Sequence, residues 1–271
     1  MISVYGGTGF VGSEFCRQFS DTYIIPKEQD EPHPDSEQIL YLISTVDNYN
    51  VLTDTQIDIE TNLIKLMRVL EHCKEKDITF NFVSSWFVYG NCPLPAREDF
   101  PCTPTGFYSI TKKCAEDLLI SFCKTWNIKY RIFRLGNVYG KSDGKVSAKK
   151  NALQYLINKL RDNEEISLYH GGDFYRDYIH VSDACGLMRD CMGIEETGDI
   201  INISSGKRTK FVDIMNYCKM KLDSKSEFVS VEPSDLHKIV QVKDMWIDTH
   251  KIRERGFELR YDIWEGLNTL L

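Results

Sequence analysis

Two residues capable of acid–base chemistry, Tyr108 and Lys112, stand four positions apart in the sequence YSITK. Residues with this spacing share one face of an α-helix, so the lysine ammonium can lie beside the phenol. A nearby cation favours the phenolate and lowers a tyrosine pKa that is otherwise about 10. Such a tyrosine can exchange a proton with a carbinol oxygen while a hydride moves to or from a nicotinamide. The spacing alone also fits an ordinary surface helix, so the choice between a catalytic pair and a surface helix depends on the neighbouring segments.

Three glycines near the start of the chain, Gly6, Gly9 and Gly12, follow a β-type run at 2–5 and precede an amphipathic stretch at 11–19. Glycines at such a turn let the backbone approach a pyrophosphate, and the N-terminus of the following helix favours its negative charge. We therefore expect a nicotinamide dinucleotide at this turn. The residues expected to contact it here are Gly6, Gly9, Phe10, Val11 and Gly12.

The second strand, at 22–25, ends before Pro26 and Lys27. Many dinucleotide-binding proteins carry an acid at this point, which binds the ribose 2′-hydroxyl. Here the acid is missing from the expected position, although Asp30 lies nearby. Lys27 can instead meet a 2′-phosphate, which favours NADP slightly over NAD, and a solvated lysine explains the residue equally well.

The elements that must position these residues alternate between strand and helix at the spacing of βα units. This alternation predicts an α/β fold, a Rossmann-type doubly wound parallel sheet with a smaller C-terminal α/β substrate lobe. We expect residues 1–140 to form the dinucleotide-binding domain, with 178–204 returning to it. Residues 141–177 and 205–271 would form the lobe. The predicted strands are 2–5, 22–25, 39–43, 80–84, 130–135, 166–169, 178–181 and 199–203, and the predicted helices are 11–19, 55–73, 108–125, 151–161, 183–193, 211–222 and 262–270.

Composition narrows the class of protein further. The formal net charge of −7 argues against non-specific binding to nucleic acid, which requires a basic surface. The nine cysteines form no C-x-x-C pair, and the six histidines are scattered, so we expect no metal site. No apolar run approaches the roughly 20 residues of a membrane span. Met1 leads directly into a strand, so no signal peptide is expected and the prediction is a cytoplasmic protein with reduced thiols.

The G-x-x-G-x-x-G turn and the Y-x-x-x-K pair resemble the short-chain dehydrogenase/reductase superfamily. Later segments resemble its extended branch, the NAD-dependent epimerase/dehydratase group of nucleotide-sugar enzymes. These segments are RLGNVYG at 134–140, RDYIHVSD at 176–183, NISSG at 202–206 and WEGL at 264–267. The resemblance implies an NAD(P) cofactor, a nucleotide-diphosphate sugar as substrate, and a homodimer formed through the helices near 60–73 and 108–125.

The resemblance also implies roles for residues that spacing leaves open. Ser85, five residues before Gly90, corresponds to the third catalytic group, whose hydroxyl bonds the sugar oxygen. Asn62 is expected near the cofactor. Asn137 and Arg176 are expected to contact the substrate diphosphate, which suits the planar, bidentate guanidinium of arginine. The complete expected sets are Ser85, Tyr108 and Lys112 for catalysis; Gly6, Gly9, Phe10, Val11, Gly12, Lys27, Ser44, Asn62, Tyr108 and Lys112 for the cofactor; and Ser85, Trp86, Asn137 and Arg176 for the substrate.

Several neighbouring residues have structural interpretations that compete with functional ones. Asp177 and Asp183 fit structural roles better than catalytic ones, His180 fits a packed core position, and Arg134 can simply pair with an acid. The basic loop at 141–150, where we place the lobe boundary, either adds positive potential near the diphosphate or is a solvated loop. Its lysines are Lys141, Lys145, Lys149 and Lys150.

Three functions remain open at this point. The family's dehydratases carry an acidic pair directly after the catalytic hydroxyl, but this chain has Trp86 and Phe87 there, which disfavours dehydration and suits a deoxysugar. A 4-keto-reductase that consumes NAD(P)H is favoured slightly, because the missing second-strand acid suggests weaker retention of NAD. A 4-epimerase with bound NAD is the alternative. A non-catalytic protein that senses dinucleotides or acts as a scaffold is a more distant one.

Overall fold

Six parallel strands form the central sheet of this computed structural model, in which residues 1–141 and 151–271 are described. A π-helical turn spans Glu60–Ile64, and 3₁₀ turns span Asn50–Leu52, Trp86–Tyr89 and His170–Gly172. In chain order the strands are β1 (Ile2–Tyr5), β2 (Thr22–Ile25), β3 (Gln38–Tyr41), β4 (Thr79–Ser85), β5 (Lys129–Leu135), β6 (Asn137–Tyr139), β7 (Ile166–Tyr169), β8 (Tyr175–Arg176), β9 (Tyr178–His180), β10 (Asp199–Ile203), β11 (Thr209–Lys210) and β12 (Phe228–Val231). The helices are α1 (Phe10–Gln18), α2 (Gln56–Ile59), α3 (Lys65–Glu71), α4 (Phe107–Trp126), α5 (Ala152–Arg161), α6 (Val181–Met192), α7 (Phe211–Lys221), α8 (Asp235–Val240), α9 (His250–Glu254) and α10 (Ile263–Asn268).

The central sheet has the strand order β10-β5-β4-β3-β1-β2 and is covered by helices on both faces. On one face, Phe15 of α1 and Met188 of α6 pack against Val4 and other strand residues. On the other, Leu66 of α3 and Leu119 of α4 complete a second buried cluster. Strands buried on both faces have continuous apolar sequences, which explains the three apolar residues that follow Gln38 in β3. The predicted doubly wound α/β fold is confirmed.

A third apolar cluster joins α5, α7 and α10 to the two-stranded parallel sheet of β7 and β12. Strand β12 and helices α8 and α9 were not predicted from the sequence. The proposed domain limits remain a prediction. Of the basic loop, residues 142–150 lie outside the described part of the chain, including Lys145, Lys149 and Lys150. Within the described residues, no helix is long and apolar enough to cross a membrane.

The parallel arrangement brings the carboxyl ends of the central strands to one edge. The glycine turn follows β1, Ser44 lies shortly after β3, and Ser85 ends β4. Helix α4 packs along β4 and α3 with Tyr108 in its first turn. In sheets of this kind ligands bind at this edge, so the fold itself brings the predicted catalytic residues to the ligand-binding side.

Close packing at the glycine turn gives a test of the fold. A Cβ added at Gly12 would lie 2.3 Å from the Gly6 carbonyl oxygen and 2.8 Å from Gly7 Cα, both backbone atoms that cannot rotate away. Gly12→Ala should therefore lower the free energy of unfolding by about 1–3 kcal/mol, the usual cost of overpacking. The control is Gly186→Ala in α6, where nothing lies within 4 Å and helix propensity predicts stabilisation of up to about 1 kcal/mol. Urea denaturation measures both, and equal stabilities of Gly12→Ala and the parent protein would contradict the packing described.

Candidate active site

The turn between β1 and α1 has the geometry of a dinucleotide cradle. Gly6 has a φ of +80°, and the Gly9 N–H donates to its carbonyl over 3.0 Å. Gly9 is the N-cap of α1, and its side-chain position supplies no capping group, so N–H groups of the first turn remain for an anion. Since no side chain fits at Gly12 beside the backbone of Gly6 and Gly7, α1 begins close against the turn, and its N-terminal N–H groups fit a pyrophosphate group. The helix begins at Phe10, one residue before its predicted start, and Val11 follows in its first turn.

A lysine from another element binds the loop that follows β2. Lys65, projecting from α3, forms an ion pair with Asp30 and donates to the backbone carbonyls of Lys27 and Gln29. The nearby acid is therefore already paired with a cation. Lys27 itself is exposed, so its proposed contact with a 2′-phosphate remains a prediction.

The Tyr108 side chain is buried at the first turn of α4 and is only 7% exposed. Burial raises the pKa of its phenol, while hydrogen bonds with the Ser85 and Ser44 hydroxyls lower it and the charge of Asp58 raises it further. The structure thus brings together three residues that the sequence separates by up to 64 positions. The expectation that Lys112 lowers this pKa is therefore wrong, and the phenol is held in its neutral form, which is a proton donor.

Lys112 lies one helical turn beyond Tyr108 and is almost completely buried. Its Nζ donates to the Val83 carbonyl oxygen over 2.8 Å and lies 4.1 Å from the centre of the Phe82 ring. Burial lowers the pKa of Lys112 to about 7, and the nearby Glu116 carboxylate opposes this shift. The ammonium therefore faces the carboxyl end of β4 and titrates close to neutral pH.

Arg134 and Glu116 form a buried bidentate ion pair between β5 and the catalytic helix α4. The Nη2–Oε2 distance is 2.8 Å and the Nε–Oε1 distance is 3.1 Å. The guanidinium also lies 4.7 Å from the Tyr89 ring centre. The structural interpretation of Arg134 is confirmed, and Glu116 is a residue that sequence analysis missed. Its position four residues after Lys112 placed it on the same helical face, which was the available signal.

Asn62 lies in the π-helical turn, and its amide is fully used within the protein. Its Oδ1 accepts from the Thr45 N–H and the Ser44 hydroxyl, and its Nδ2 donates to the hydroxyls of Thr45 and Thr111. An amide that makes four internal hydrogen bonds orders its neighbours, so Asn62 positions Ser44 beside Tyr108. The contact of Asn62 with the cofactor stays a prediction.

An aromatic wall stands beside the phenol. Trp86 and Phe87 stack with ring centres 3.9 Å apart, and Phe87 meets Tyr108 edge-on at 5.9 Å. Ser85 accepts a hydrogen bond from the Phe87 N–H, which caps the 3₁₀ turn carrying the pair. An apolar pair of stacked rings therefore adjoins the phenol, with Trp86 itself buried, and its contact with a sugar stays a prediction.

Arg176 reaches this wall from β8. Its guanidinium carbon lies 5.8 Å from the Trp86 ring centre and 4.9 Å from that of Phe174. It donates to the carbonyl oxygens of residues 175, 242 and 243, and it forms no ion pair with an Asp or Glu of the described segments. Burial lowers its pKa. A half-buried cation surrounded by neutral acceptors suits an anionic ligand.

The neighbours of Arg176 have structural roles. Asp177 accepts hydrogen bonds from the Ser205 hydroxyl and from the N–H groups of Ser205, Gly206 and Ile247. Asn137 donates to the Asp177 carbonyl oxygen over 2.9 Å, so its amide faces this junction as well. The structural interpretation of Asp177 fits these contacts. The structural interpretations of Asp183 and His180 hold as well. Asp183 accepts a hydrogen bond from the Tyr261 N–H, and His180 packs between the rings of Tyr139 and Tyr261.

Comparison with known proteins identifies the family. The model of the NAD dependent epimerase/dehydratase family matches residues 33–204, more than half of the chain, and the protein belongs to this family. The matched stretch includes the serine, tyrosine, lysine and arginine described above, while the glycine turn precedes it.

Individual relatives are distant. The chain is 24% identical to a putative UDP-glucose 4-epimerase of Methanocaldococcus jannaschii, covering 100% of this chain and 97% of that protein. It is 27% identical to dTDP-4-dehydro-6-deoxyglucose reductase of Escherichia coli, over 65% of this chain and 55% of that protein. Family and relatives are enzymes that act on nucleotide sugars.

Solved structures share the fold. A Thermotoga maritima UDP-glucose 4-epimerase with UDP-glucose has a TM-score of 0.87 at 20% identity, covering 99% of this chain and 96% of that one. RMD from Pseudomonas aeruginosa complexed with NADPH has a TM-score of 0.85 at 19% identity, covering 100% and 97%. A Thermus thermophilus UDP-glucose 4-epimerase complexed with NAD has a TM-score of 0.84 at 17% identity, covering 99% and 98%. Both cofactor types therefore occur on this fold.

Burial of Lys112 predicts how stability depends on pH. The unfolded chain keeps the lysine proton up to about pH 10.4, whereas the folded protein releases it near pH 7. Between these values the unfolded state binds more protons, so the free energy of unfolding should rise with pH. Lys112→Met should reduce this rise between pH 7 and 9.5, measured by urea denaturation. The control Lys124→Met, at an exposed position of the same helix, should keep it. Identical slopes in the parent and Lys112→Met would contradict the assignment.

Proposed function

We propose that this protein is an NAD(P)H-dependent reductase that converts the 4-keto group of a deoxysugar nucleotide to an alcohol. The observation that carries the proposal is the pairing of a neutral, buried Tyr108 with the apolar wall of Trp86 and Phe87. The phenol provides the proton that a newly formed alkoxide needs. The wall offers no acid for elimination of water and packs well against a deoxygenated sugar carbon.

The reduction needs a hydride and a proton, and the cofactor and the site residues would supply them. When bound, the reduced nicotinamide supplies the hydride that adds to the sugar carbon. Ser85 would hydrogen-bond the carbonyl oxygen and orient it, and Tyr108 would donate its proton as the oxygen becomes an alkoxide. Lys112 would stabilise the resulting phenolate and contact the nicotinamide ribose. The proton lost by Tyr108 must be recovered from solvent before the next turnover.

Arg176 is proposed to bind the diphosphate of the substrate. Phosphate oxygens would replace the three backbone carbonyls that it now contacts and would supply the negative charge that this half-buried cation lacks. Asn137, whose amide lies at the same junction, is proposed as a second contact. One relative acts on a substrate of this kind, since the Escherichia coli protein is a dTDP-4-dehydro-6-deoxyglucose reductase.

We further propose that the cofactor is NADP rather than NAD. This choice is supported by Lys27 and by the Lys65 ammonium, which already neutralises Asp30 in the loop after β2. A second candidate function is 4-epimerisation with bound NAD, which the Methanocaldococcus jannaschii and Thermotoga maritima relatives favour by name.

Cofactor handling separates the two functions. For a reductase, the purified protein should carry less than stoichiometric cofactor and should oxidise one NAD(P)H per molecule of dTDP-4-dehydro-6-deoxyglucose or a related 4-keto sugar nucleotide. Tyr108→Phe should lower turnover at least about a hundredfold, the contribution of a general acid, while calorimetry shows cofactor affinity nearly unchanged. Stoichiometric bound NAD and interconversion of epimers without added cofactor would show that the reductase proposal is wrong.

The family resemblance implies a homodimer, and one exposed surface fits this expectation. Apolar side chains at helical spacing remain exposed on α2, on the π-helical turn and on α4, and we call them the apolar helix face. These residues are Ile57, Ile64, Ile110 and Leu118. Large exposed apolar groups that cluster on neighbouring helices indicate an interface, so we propose that two copies associate here.

Charge placed on the apolar helix face should break the dimer. We expect the parent protein to elute as a dimer in size-exclusion chromatography with light scattering, and Leu118→Glu to shift it toward monomer because a carboxylate would be buried unpaired. Ile239→Glu, an exposed apolar position on α8, is the matched control and should remain dimeric. A monomeric parent protein would contradict the proposal.

A further inference from the structure

A buried carboxylate that the proposed chemistry does not use, Asp58, lies on α2 close to the catalytic helix. Its side chain is 0% exposed. Oδ1 accepts hydrogen bonds from the Thr45 hydroxyl and from Asn50 Nδ2, the latter over 3.3 Å. Oδ2 is also buried and has no hydrogen-bond partner among the described residues. Burying a carboxylate oxygen without a hydrogen-bond partner lowers the stability of the fold, which points to a functional role of the charge.

The hydrogen bonds of Asp58 lead to the catalytic tyrosine. Thr45, which donates to Asp58, also accepts from Asn62 Nδ2 over 2.9 Å. Asn62 in turn lies 3.1 Å from the Ser44 hydroxyl, the group that bonds the Tyr108 phenol. A second branch runs from Asn62 through the Thr111 hydroxyl, which donates to the Tyr108 carbonyl oxygen over 2.9 Å.

The charges around the phenol are few. The charge of Asp58, on α2, raises the pKa of the phenol, and Lys112 lies one turn away on the helix of Tyr108. The end of β4 and the loop after β3 present only the uncharged hydroxyls of Ser85 and Ser44. In a site of low effective dielectric, one like charge strongly disfavours formation of a second. Burial is the largest cause that disfavours the phenolate, and the charge of Asp58 adds to it.

We propose that Asp58 is a positioning residue that holds Tyr108 as the neutral phenol and, through Thr45 and Asn62, fixes the Ser44 hydroxyl that orients it. This inference rests on the proposed role of Tyr108 as proton donor. Its consequence is that Tyr108 stays protonated, and therefore able to donate to the sugar oxygen, up to a higher pH than burial alone would allow. A substrate oxygen that becomes an alkoxide completes the transfer, and the phenolate is then reprotonated from solvent.

Direct titration of the phenol tests this proposal without turnover. Protein labelled with [ζ-¹³C]tyrosine is saturated with NAD⁺ or NADP⁺, whichever binds more tightly, and its carbon spectrum is followed from pH 6 to 11. The Tyr108 resonance is identified by its absence in Tyr108→Phe. In Asp58→Asn, which keeps size and shape, the phenol should ionise at lower pH than in the parent protein. If the Tyr108 resonance of Asp58→Asn follows that of the parent over the whole range, the proposal is wrong.

Two further variants keep the test decisive. Glu60→Gln removes one negative charge from an exposed position two residues away and should leave the titration unchanged. Thr45→Val keeps the carboxylate but removes its hydroxyl partner, so the phenol should not ionise earlier than in the parent. Earlier ionisation in Thr45→Val would show that the hydroxyl contact, not the charge, is responsible, and this variant decides the matter if Asp58→Asn does not fold. Because the readout requires no sugar, an incorrect substrate assignment would leave its outcome intact.

Discussion

The docking of helix α4 against the central sheet is the constraint on which the proposed site depends. Its buried anchor is the bidentate pair of Glu116 with Arg134, which crosses from α4 to β5. Breaking such a pair by removing one partner leaves an uncompensated charge and typically costs 3–5 kcal/mol. Lys112, one turn earlier, adds a second link to the Val83 carbonyl oxygen. Because both links lie on one helical face, they set the rotation of α4 and hence the direction in which Tyr108 points.

Charge in the site is distributed unequally. At one end, Arg176 is a half-buried cation surrounded by carbonyl oxygens, and at the other the phenol is kept neutral by burial and by Asp58. Between them stands the stacked pair of Trp86 and Phe87. An anionic group is therefore favoured at the first end and a polar but uncharged carbonyl at the second. A sugar joined to a diphosphate has this polarity, and the epimerase/dehydratase family to which the chain belongs acts on such molecules.

Local sequence signals predicted the parts of the fold that depend on neighbouring residues. The glycine turn, the apolar strands and the long amphipathic α4 all follow from short-range patterns, and the structure has them within a few residues. What sequence could not supply were contacts between distant segments. Strand β12 exists because it pairs with β7 about 60 residues earlier, and the short helix α8 is held by Thr105 and Tyr49. The same limit applies within the site.

Asp58 and Glu116 matter through partners far along the chain, so their types alone gave no sign of a role. For Arg134 the sequence suggested an acidic partner but could not say which one, and the fold supplies Glu116, 18 residues earlier in the chain. Of the predicted site residues, Ser85, Ser44 and Tyr108 are brought together by the strand edges, and Lys112 follows by helical spacing.

The measurement that tests the central claim most directly is the transfer of a labelled hydride. NAD(P)H carrying deuterium at C4 of the nicotinamide, prepared with each of the two stereochemical configurations, is incubated with the protein and a 4-keto deoxysugar nucleotide. Mass spectrometry then follows the sugar product. The account predicts one deuterium per product molecule, at the sugar C4, from only one of the two labelled cofactors. A product that carries no deuterium from either cofactor would contradict it.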